Sequence, residues 1–393
     1  MIESGSSSLP ASTASSPPPW LRLDRHELAG AFGDLGTSLP LLTGMILAAG
    51  FQPGAVLATF GALQILSALR YGMPMSVQPL KAVAALVITG HLRAPLVWGA
   101  GIAIGITMLL LQILGLVTWL GRRIPHVVIR GLQLALGIKL AILALGSFVP
   151  ADGLAGFGLA VASAVLLLGL RRQRRVPPGL VLLLLGASCA LARDPGILAA
   201  ASAPRFAWPA MARIEPGDLW QGLLLLALPQ LPLSLANSIY ATERTVCDLF
   251  PHRRISAAGL SLSYAVMNLL APFGGGVPVC HGAGGIAGHH AFGARTGGSV
   301  LLCGSAFMLS GLFLDDSFCQ LVRLIPLPTL GVLLAREALA MAGLAADIPQ
   351  KSEPVLLALF TASMAAFLPY GFGIALVAGT LLSGLLQQRK CDV

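Results

Sequence analysis

Long stretches without a single charged residue dominate the chain. Residues 35–69, 94–121 and 354–388 are such stretches, and each exceeds the roughly 20 apolar residues that a helix needs to cross a bilayer. Dividing the chain at charges and at Gly/Pro clusters predicts fourteen membrane spans, at 28–50, 54–70, 73–90, 95–119, 128–148, 153–170, 177–192, 219–242, 256–271, 274–290, 295–314, 320–343, 351–368 and 370–387.

These spans fall into two sets of seven. The first set occupies 27–192 and the second 219–388, and the longest polar connection, 193–218, separates them. Residues 1–26 are rich in Ser and Pro and are predicted to be a disordered tail. Because seven is odd, the two halves must insert with opposite orientations. We therefore predict an all-α polytopic membrane protein, with about fourteen segments in a seven-plus-seven inverted repeat.

Composition agrees with this class and excludes others. Hydrophobic residues make up 56% of the chain and charged residues only 10%, against about 25% charged in soluble domains. The net charge of +9 has no basic, aromatic-rich face to accompany it, so we do not expect nucleic acid to bind. Eighteen of the 25 Lys and Arg residues fall on the side of the two termini and five on the other side, with Lys81 and Lys139 inside spans. This asymmetry predicts that both termini are cytoplasmic.

The third and tenth segments share an unusual beginning. Each opens with a G-x-P-x stretch, at Gly72–Met75 and Gly276–Val279, which disfavours a regular helix. Each segment is therefore expected to enter the membrane extended and to become helical only halfway. Broken helices at equivalent places in two halves indicate the binding site of a transporter.

The chemistry at these two breaks favours a small anion. Pro79 suits the first helical position of half-helix three, which would leave the N–H groups of 80–82 free, and the second break would present N–H groups from 281 to 284. Each helix start carries about half a positive charge and Lys81 adds one more, a total near +2 that suits a tetrahedral dianion. The alternative is that the glycines only permit close packing and that Lys81 extends to the membrane surface.

Other polar residues near the breaks are candidates for the same site. Donors to an anion are expected from Thr37, Gln78, Gln230, Asn237, Cys280, His281, Gly282 and Ala283. For these, hydrogen bonds that only stabilise packing remain the alternative.

Acidic residues need different roles because they repel anions. Asp34 is interpreted as a proton carrier or as the partner of Lys81, and His281 as a donor or a protonatable coupling group. Glu27 and Glu243 are interpreted as solvated residues at helix ends. Lys139 has two equal interpretations, a structural pairing with a carboxylate or a carbonyl group, or a role in transport.

The cysteines and histidines predict no cofactor, metal or enzyme. Six cysteines show no paired spacing. A zinc site needs about four ligands, and an enzyme using Cys280 and His281 would need an orienting acid that the sequence does not provide nearby.

Four motifs carry a resemblance to a known family. YGMPMSVQPLKAVAA and FGGGVPVCHGAGGIAGHHAFGARTGG, together with ELAGAFGDLGTSLPLL and LPQLPLSLANS, resemble the type-1 molybdate transporter family, which is related to the sulfate permeases and lacks their C-terminal cytoplasmic domain. The likeness runs from Glu27 to the C-terminus, and Ser76 departs from it by standing where proline or a small residue is expected.

The resemblance implies a fold and a function. The fold is the seven-plus-seven repeat of the sulfate and uracil permeases, with a core domain of spans 1–4 and 8–11, a gate domain of spans 5–7 and 12–14, and the anion between half-helices three and ten. The function inferred from the resemblance together with the site chemistry is secondary active import of molybdate across the cytoplasmic membrane, and a homodimer is left open. Coupling to protons is a further hypothesis, based on Asp34 and His281 near the inferred cavity. Sulfate or another small anion, or a channel, are the alternatives, while a nucleobase carrier would want carboxylates that 255–294 lacks.

Overall fold

Helices account for most of the chain, and two short strands pair within it. The computed structural model describes residues 20–170, 176–199, 203–209, 213–368 and 370–391. Its first half contains α1 (Arg25–Ala31), α2 (Leu35–Ala49), α3 (Pro53–Tyr71), β1 (Val77–Pro79), α4 (Lys81–Gly90), α5 (Ala94–Ile113), α6 (Leu116–Arg123), α7 (His126–Leu143), α8 (Gly153–Gly169) and α9 (Pro178–Arg193).

The second half repeats much of this order. It contains α10 (Pro216–Gly222), α11 (Leu228–Leu233), α12 (Ala241–Leu249), α13 (Ala257–Leu270), β2 (Val279–His281), α14 (Ala283–Ala291), α15 (Gly298–Phe313), α16 (Phe318–Leu321), α17 (Leu327–Gly343), α18 (Ser352–Phe367) and α19 (Gly371–Cys391). The π-helical stretches Leu223–Ala227 and Ser234–Tyr240 join α10, α11 and α12 into one helical path.

Length and composition identify a multi-pass membrane protein. Within the described part of the chain, six helices are long and apolar enough to cross a bilayer, or seven if the bent pair α1 and α2 forms one span. Five shorter apolar helices of 10–17 residues accompany them, including the half-helix α4.

Two predicted spans prove to be broken. The first, predicted as 28–50, bends by 41° between α1 and α2, where Gly33 and Asp34 interrupt the helix. The twelfth, predicted as 320–343, is interrupted before α17, where Pro326 is the N-cap, because proline excludes the preceding residue from helical geometry.

The last residues of the predicted tail, from Trp20 onward, have a defined structure. Trp20 donates its indole N–H to Leu69 O at 3.1 Å, and Asp24 caps α1 by accepting from the backbone N–H groups of His26 and Glu27. The Glu27 N–H bond holds the pKa of Asp24 below its ordinary value. The rest of the tail, 1–19, lies outside the described residues.

Helices from the two halves pack against each other reciprocally. The second span of the first half, α3, packs along α15, and its counterpart α13 packs along α5. Glycines permit the close approach, since a Cβ on Gly54 would lie 2.6 Å from Gly311 O and one on Gly105 would lie 3.0 Å from Ala265 O. Small residues at such contacts are typical of helix pairs in membranes.

Glu27 stabilises one of these helices from within the protein, which contradicts its predicted solvated position. Its side chain is 2% exposed and accepts backbone N–H groups from Arg295, Thr296 and Ser299 at 2.8–2.9 Å. These donors lie at the start of α15, where a carboxylate also interacts favourably with the helix dipole. Glu243 has a similar role at the start of α13, but it accepts only one backbone N–H, that of Ala257, at 2.7 Å.

We expect Glu27→Gln to destabilise the protein by about 2 kcal/mol, because an amide cannot satisfy all three N–H donors and lacks the charge. Glu243→Gln is the matched comparison and should cost about 1 kcal/mol or less, since only one backbone N–H depends on it. Thermal unfolding midpoints in detergent measure both. Equal shifts for the two variants would contradict the capping role of Glu27.

Candidate functional site

The two strands lie at the start of the two half-helices and pair with each other. They run antiparallel, with Gln78 opposite Cys280, and the pairing continues beyond their ends, where Leu80 N–H donates to Pro278 O at 3.1 Å and Gly282 N–H to Ser76 O at 3.4 Å. The extended entry predicted for both segments is therefore present.

The helix starts differ slightly from the prediction. Helix α4 begins at Lys81 and α14 at Ala283, whereas Pro79, predicted as the first helical residue, is the last residue of β1. The Leu80 N–H is consequently committed to the strand pair and is not free for an anion. Because each helix leaves the C-terminal end of an antiparallel strand, the two helix N-termini flank the strand pair.

Lys81 forms an ion pair that links α4 to α17. Its Nζ donates to Glu337 Oε2 at 2.9 Å, and both side chains are largely buried, at 14% and 13% exposed. The predicted donor Thr37 lies near the Glu337 carboxylate.

The sequence analysis missed Glu337. Its signal was the Arg336–Glu337 pair within an otherwise apolar span, because ionisable residues inside a membrane usually have a function.

Asp34 occupies a separate network in the same region. It is 4% exposed and accepts hydrogen bonds from Ser76 Oγ at 2.6 Å, from Ser38 Oγ at 3.3 Å and from Gln78 Nε2. Asp34 is thus bound to β1 and does not take the role of direct partner to Lys81. Gln78 directs its amide N–H to Asp34 in this conformation, and Ser76 supplies a hydroxyl donor beside it.

Residues of β2 contact a second polar group. His281 is 1% exposed, and its Nε2 lies 2.7 Å from the Ser263 hydroxyl, which in turn lies 2.6 Å from Tyr71 Oη. Cys280 is also buried and lies near Ser238. Both residues therefore sit beside the half-helix starts.

The two amides of the eighth span form hydrogen bonds with other side chains, one within the same span and one on α7. Gln230 Nε2 donates to Ser234 Oγ at 3.1 Å, and Asn237 Oδ1 accepts from Gln133 Nε2 on α7. The structure thus brings Lys81, Asp34, Thr37 and Gln78 into one cluster and gives Gln230 and Asn237 other hydrogen-bond partners.

Glycines of α14 allow the second half-helix to approach β1. A Cβ on Gly282 would collide with Gln78 Oε1 and one on Gly285 with Ser76 Oγ. The neighbouring Gly284 has nothing within 4 Å of its Cβ position. The predicted site residues Gly282 and Ala283 therefore lie where the start of α14 meets β1. The close approach of these two elements depends on glycine at 282 and 285.

Among the described residues, no group of three or more His, Cys, Asp or Glu side chains is arranged to hold a metal ion. What the site offers chemically is one ammonium, two carboxylates, two helix N-termini and several amide and hydroxyl donors.

Gly285→Ala is expected to lower stability by about 1–3 kcal/mol, the usual cost of forcing a methyl group into a packed site. Gly284→Ala is the adjacent control and should leave stability unchanged or raise it slightly, because alanine favours helix over glycine by about 0.5–1 kcal/mol. Thermal unfolding of the purified protein compares them. Similar losses in both variants would show that the spacing of α14 and β1 does not depend on Gly285.

Comparison with known proteins places the chain in a family. A family model described as "Molybdate transporter of MFS superfamily" matches residues 26–140 and 222–341. Molybdate transporter 2 and molybdate transporter 1 of Arabidopsis thaliana are each 32% identical to this chain, over 93% of it and 88% of the relative. Molybdate transporter 1 of Chlamydomonas reinhardtii is 27% identical, over 82% of this chain and 84% of its own.

Solved structures of low identity share the fold. SLC26A9 superposes with a TM-score of 0.67 at 14% identity, covering 92% of this chain, which spans 64% of the SLC26A9 chain. The transmembrane domain of the cyanobacterial bicarbonate transporter BicA gives 0.61 at 16% identity, with 91% and 96% covered. The named relatives are transporters and not enzymes, in agreement with the sequence analysis. By sequence over most of its length, the chain belongs to the molybdate transporter family.

Proposed function

We propose that the protein is a secondary active transporter that imports molybdate across the cytoplasmic membrane, with both termini in the cytoplasm. The observation that carries this proposal is Lys81 at the first position of a half-helix, beside the paired strand from which the second half-helix starts. A cation and two helix N-termini form a site for a small oxyanion. The names of the relatives support molybdate as that oxyanion.

The proposed architecture is a seven-plus-seven inverted repeat of fourteen spans. Its support is the matched order β1–α4–α5 and β2–α14–α15 and the reciprocal packing of α3 with α15 and α13 with α5. A core domain of spans 1–4 and 8–11 would carry the anion past a gate domain of spans 5–7 and 12–14. A homodimer is part of the proposal.

Charge balance at the site motivates coupling to protons. Lys81 and the two helix ends provide about +2, as an oxyanion with two negative charges requires. Asp34 and Glu337, which face the same region, would cancel about all of that charge when both are ionised. Protonation of one of these carboxylates leaves a net charge of about +1 at the site, and protonation of both leaves about +2. Protons and anion should therefore bind cooperatively, each raising the affinity for the other.

Glu337 is the counter-ion that an anion must replace. Its ion pair with Lys81 connects α4 of the proposed core to α17 of the proposed gate, and the Gln133–Asn237 hydrogen bond connects the two domains again. Protonation of Glu337 would free the Lys81 ammonium for the substrate. The same exchange would loosen the contact between the domains, so binding and movement would be linked through one ion pair. Asp34 and His281 are the further candidates for carrying the proton.

A sulfate transporter of the same fold is the second candidate function, because sulfate has the shape and charge of molybdate. The fold neighbours, a solute carrier 26 protein and a bicarbonate transporter, favour anions in general. A channel is distinguished by its inability to concentrate the substrate.

Purified protein in liposomes should concentrate labelled molybdate, and excess sulfate should compete only weakly. Lys81→Ala is expected to reduce uptake about tenfold or more, since the loss of a charge-assisted contact exceeds about 1.4 kcal/mol. Lys351→Ala, at an exposed position, is the control for loss of a positive charge.

Lys81→Ala leaves Glu337 buried without its partner, so the double variant Lys81→Met, Glu337→Gln tests the same point in a neutral site. Normal uptake by a folded form of either variant would contradict the binding role of Lys81. Equal competition by sulfate would favour the second candidate function.

Proton coupling should be lost when the Glu337 and Asp34 carboxylates are replaced by uncharged amides. With Glu337→Gln or Asp34→Asn, molybdate binding should lose part of its pH dependence, because one of the two titrating groups is gone, and the double variant should lose most of it. In wild-type protein, binding should strengthen as pH falls, since protonation removes a negative charge from the site. Exchange of molybdate across the liposome should persist in the variants while uphill uptake driven by a proton gradient is lost. Wild-type uptake that ignores collapse of the gradient would overturn proton coupling.

A further inference from the structure

A cavity lies at the C-terminal end of α4, away from the Lys81 site. Its volume is about 370 Å³, and its lining includes Leu86 and Thr89 of α4, Pro229 of α11, Ala365 of α18, Phe372 of α19 and Lys139 of α7. These helices belong to both proposed domains, so the cavity follows their boundary. It could hold roughly twelve water molecules at liquid density.

Lys139 gives this cavity an unbalanced positive charge. Among the described residues that line it, Lys139 is the only charged one, and within the described part of the chain no carboxylate forms a salt bridge with it. The residue is half-buried. A cation partly removed from water and lacking a counter-ion is costly unless an anion joins it. The pairing with a carboxylate that the sequence left open for Lys139 is not observed.

The position of the cavity relates it to the Lys81 site. Thr89 is eight residues beyond Lys81 on the same half-helix, which corresponds to about 12 Å along the helix axis. The chain turns directly after α4 at His91, where φ is +47°, so the cavity lies toward the membrane surface that carries the 91–93 turn. With cytoplasmic termini, that surface is the external one.

We propose that Lys139 forms a second anion site, in which an oxyanion from outside binds before it moves along α4 to Lys81. This inference rests on the proposed transport function. A fixed positive charge in a low-dielectric recess raises the local concentration of anions and their rate of arrival. Its contribution concerns capture, whereas the bound state during transport depends on Lys81. The same chemistry would also accept the phosphate of a lipid head group, and the free oxyanion is the occupant that we propose.

The kinetic test uses wild-type protein in liposomes with molybdate added outside. Lys139→Gln should raise the KM for molybdate about threefold or more and leave the maximal rate near that of wild type, and the wild-type KM should rise with salt more steeply than that of the variant. Lys139→Arg should retain most of the effect. Lys351→Gln is the matched control, since it removes one exposed lysine charge elsewhere and should behave as wild type.

Occupancy is tested directly with Thr89→Cys, an exposed lining residue of the cavity that leaves Lys139 in place, in a background where Cys189, Cys247, Cys319 and Cys391 are alanine. A membrane-impermeant methanethiosulfonate reagent added outside should label this cysteine. External molybdate should slow labelling. Protection by phospholipid alone, measured by comparing detergent with liposomes, would assign the site to a lipid and overturn the proposal, as would labelling that neither agent affects.

The outcomes separate the two proposals. If wild-type protein moves no molybdate, the proposed function fails, irrespective of Lys139. If wild-type uptake is normal and depends on Lys81, but Lys139→Gln has the KM and salt dependence of wild type, then only the second anion site is refuted.

Discussion

Extended backbone at membrane depth can persist only if its N–H and C=O groups are satisfied by other protein groups, because hydrocarbon offers no hydrogen bonds. In this protein β1 and β2 meet that demand for each other, from the Leu80–Pro278 bond to the Gly282–Ser76 bond. Asn268 contributes from α13, where its side chain both accepts the Val279 N–H and donates to Val279 O. The pair of strands thereby holds two half-helices with their N-termini beside it.

The close packing around the strand pair follows from the same requirement. Helix α14 approaches β1 so closely that Gly282 and Gly285 cannot carry side chains. Gly33 and Gly288 meet in a similar way, with a Cβ on Gly33 only 2.5 Å from Gly288 O. Because Gly33 also lies at the bend between α1 and α2, the contact places Asp34 within reach of Ser76 and Gln78. The broken first span and the polar cluster therefore have one structural cause.

Electrostatics then connects this rigid centre to the surrounding helices. The strand pair and its hydrogen bonds belong to the proposed core, whereas Glu337 and Lys139 lie on α17 and α7 of the proposed gate. A buried ion pair between two bodies contributes little net stability, but breaking it is expensive unless another charge takes over. In the proposed mechanism, Lys81 exchanges the Glu337 carboxylate for an oxyanion, so the same residue would serve closure in the absence of substrate and binding in its presence.

The sequence by itself determined the class, the two matched breaks and the family. Charge-free runs longer than a bilayer crossing favour a membrane environment, and a G-x-P-x stretch disfavours a regular helix through local backbone geometry. Lys81 could be singled out because a charge far from either end of a span is costly anywhere in a membrane. These conclusions depend on local properties of the residues.

Only the tertiary structure decided which groups meet. Glu337 lies 256 residues from Lys81 in the chain, and Glu27 reaches the start of α15 across 268 or more residues, so no local pattern indicates either pairing. The Asp34 role changed for the same reason, since Ser76 and Gln78 reach it through the bend at Gly33. Partners at long range are selected by packing, in which shape and the need to satisfy every buried polar group act on the whole chain at once.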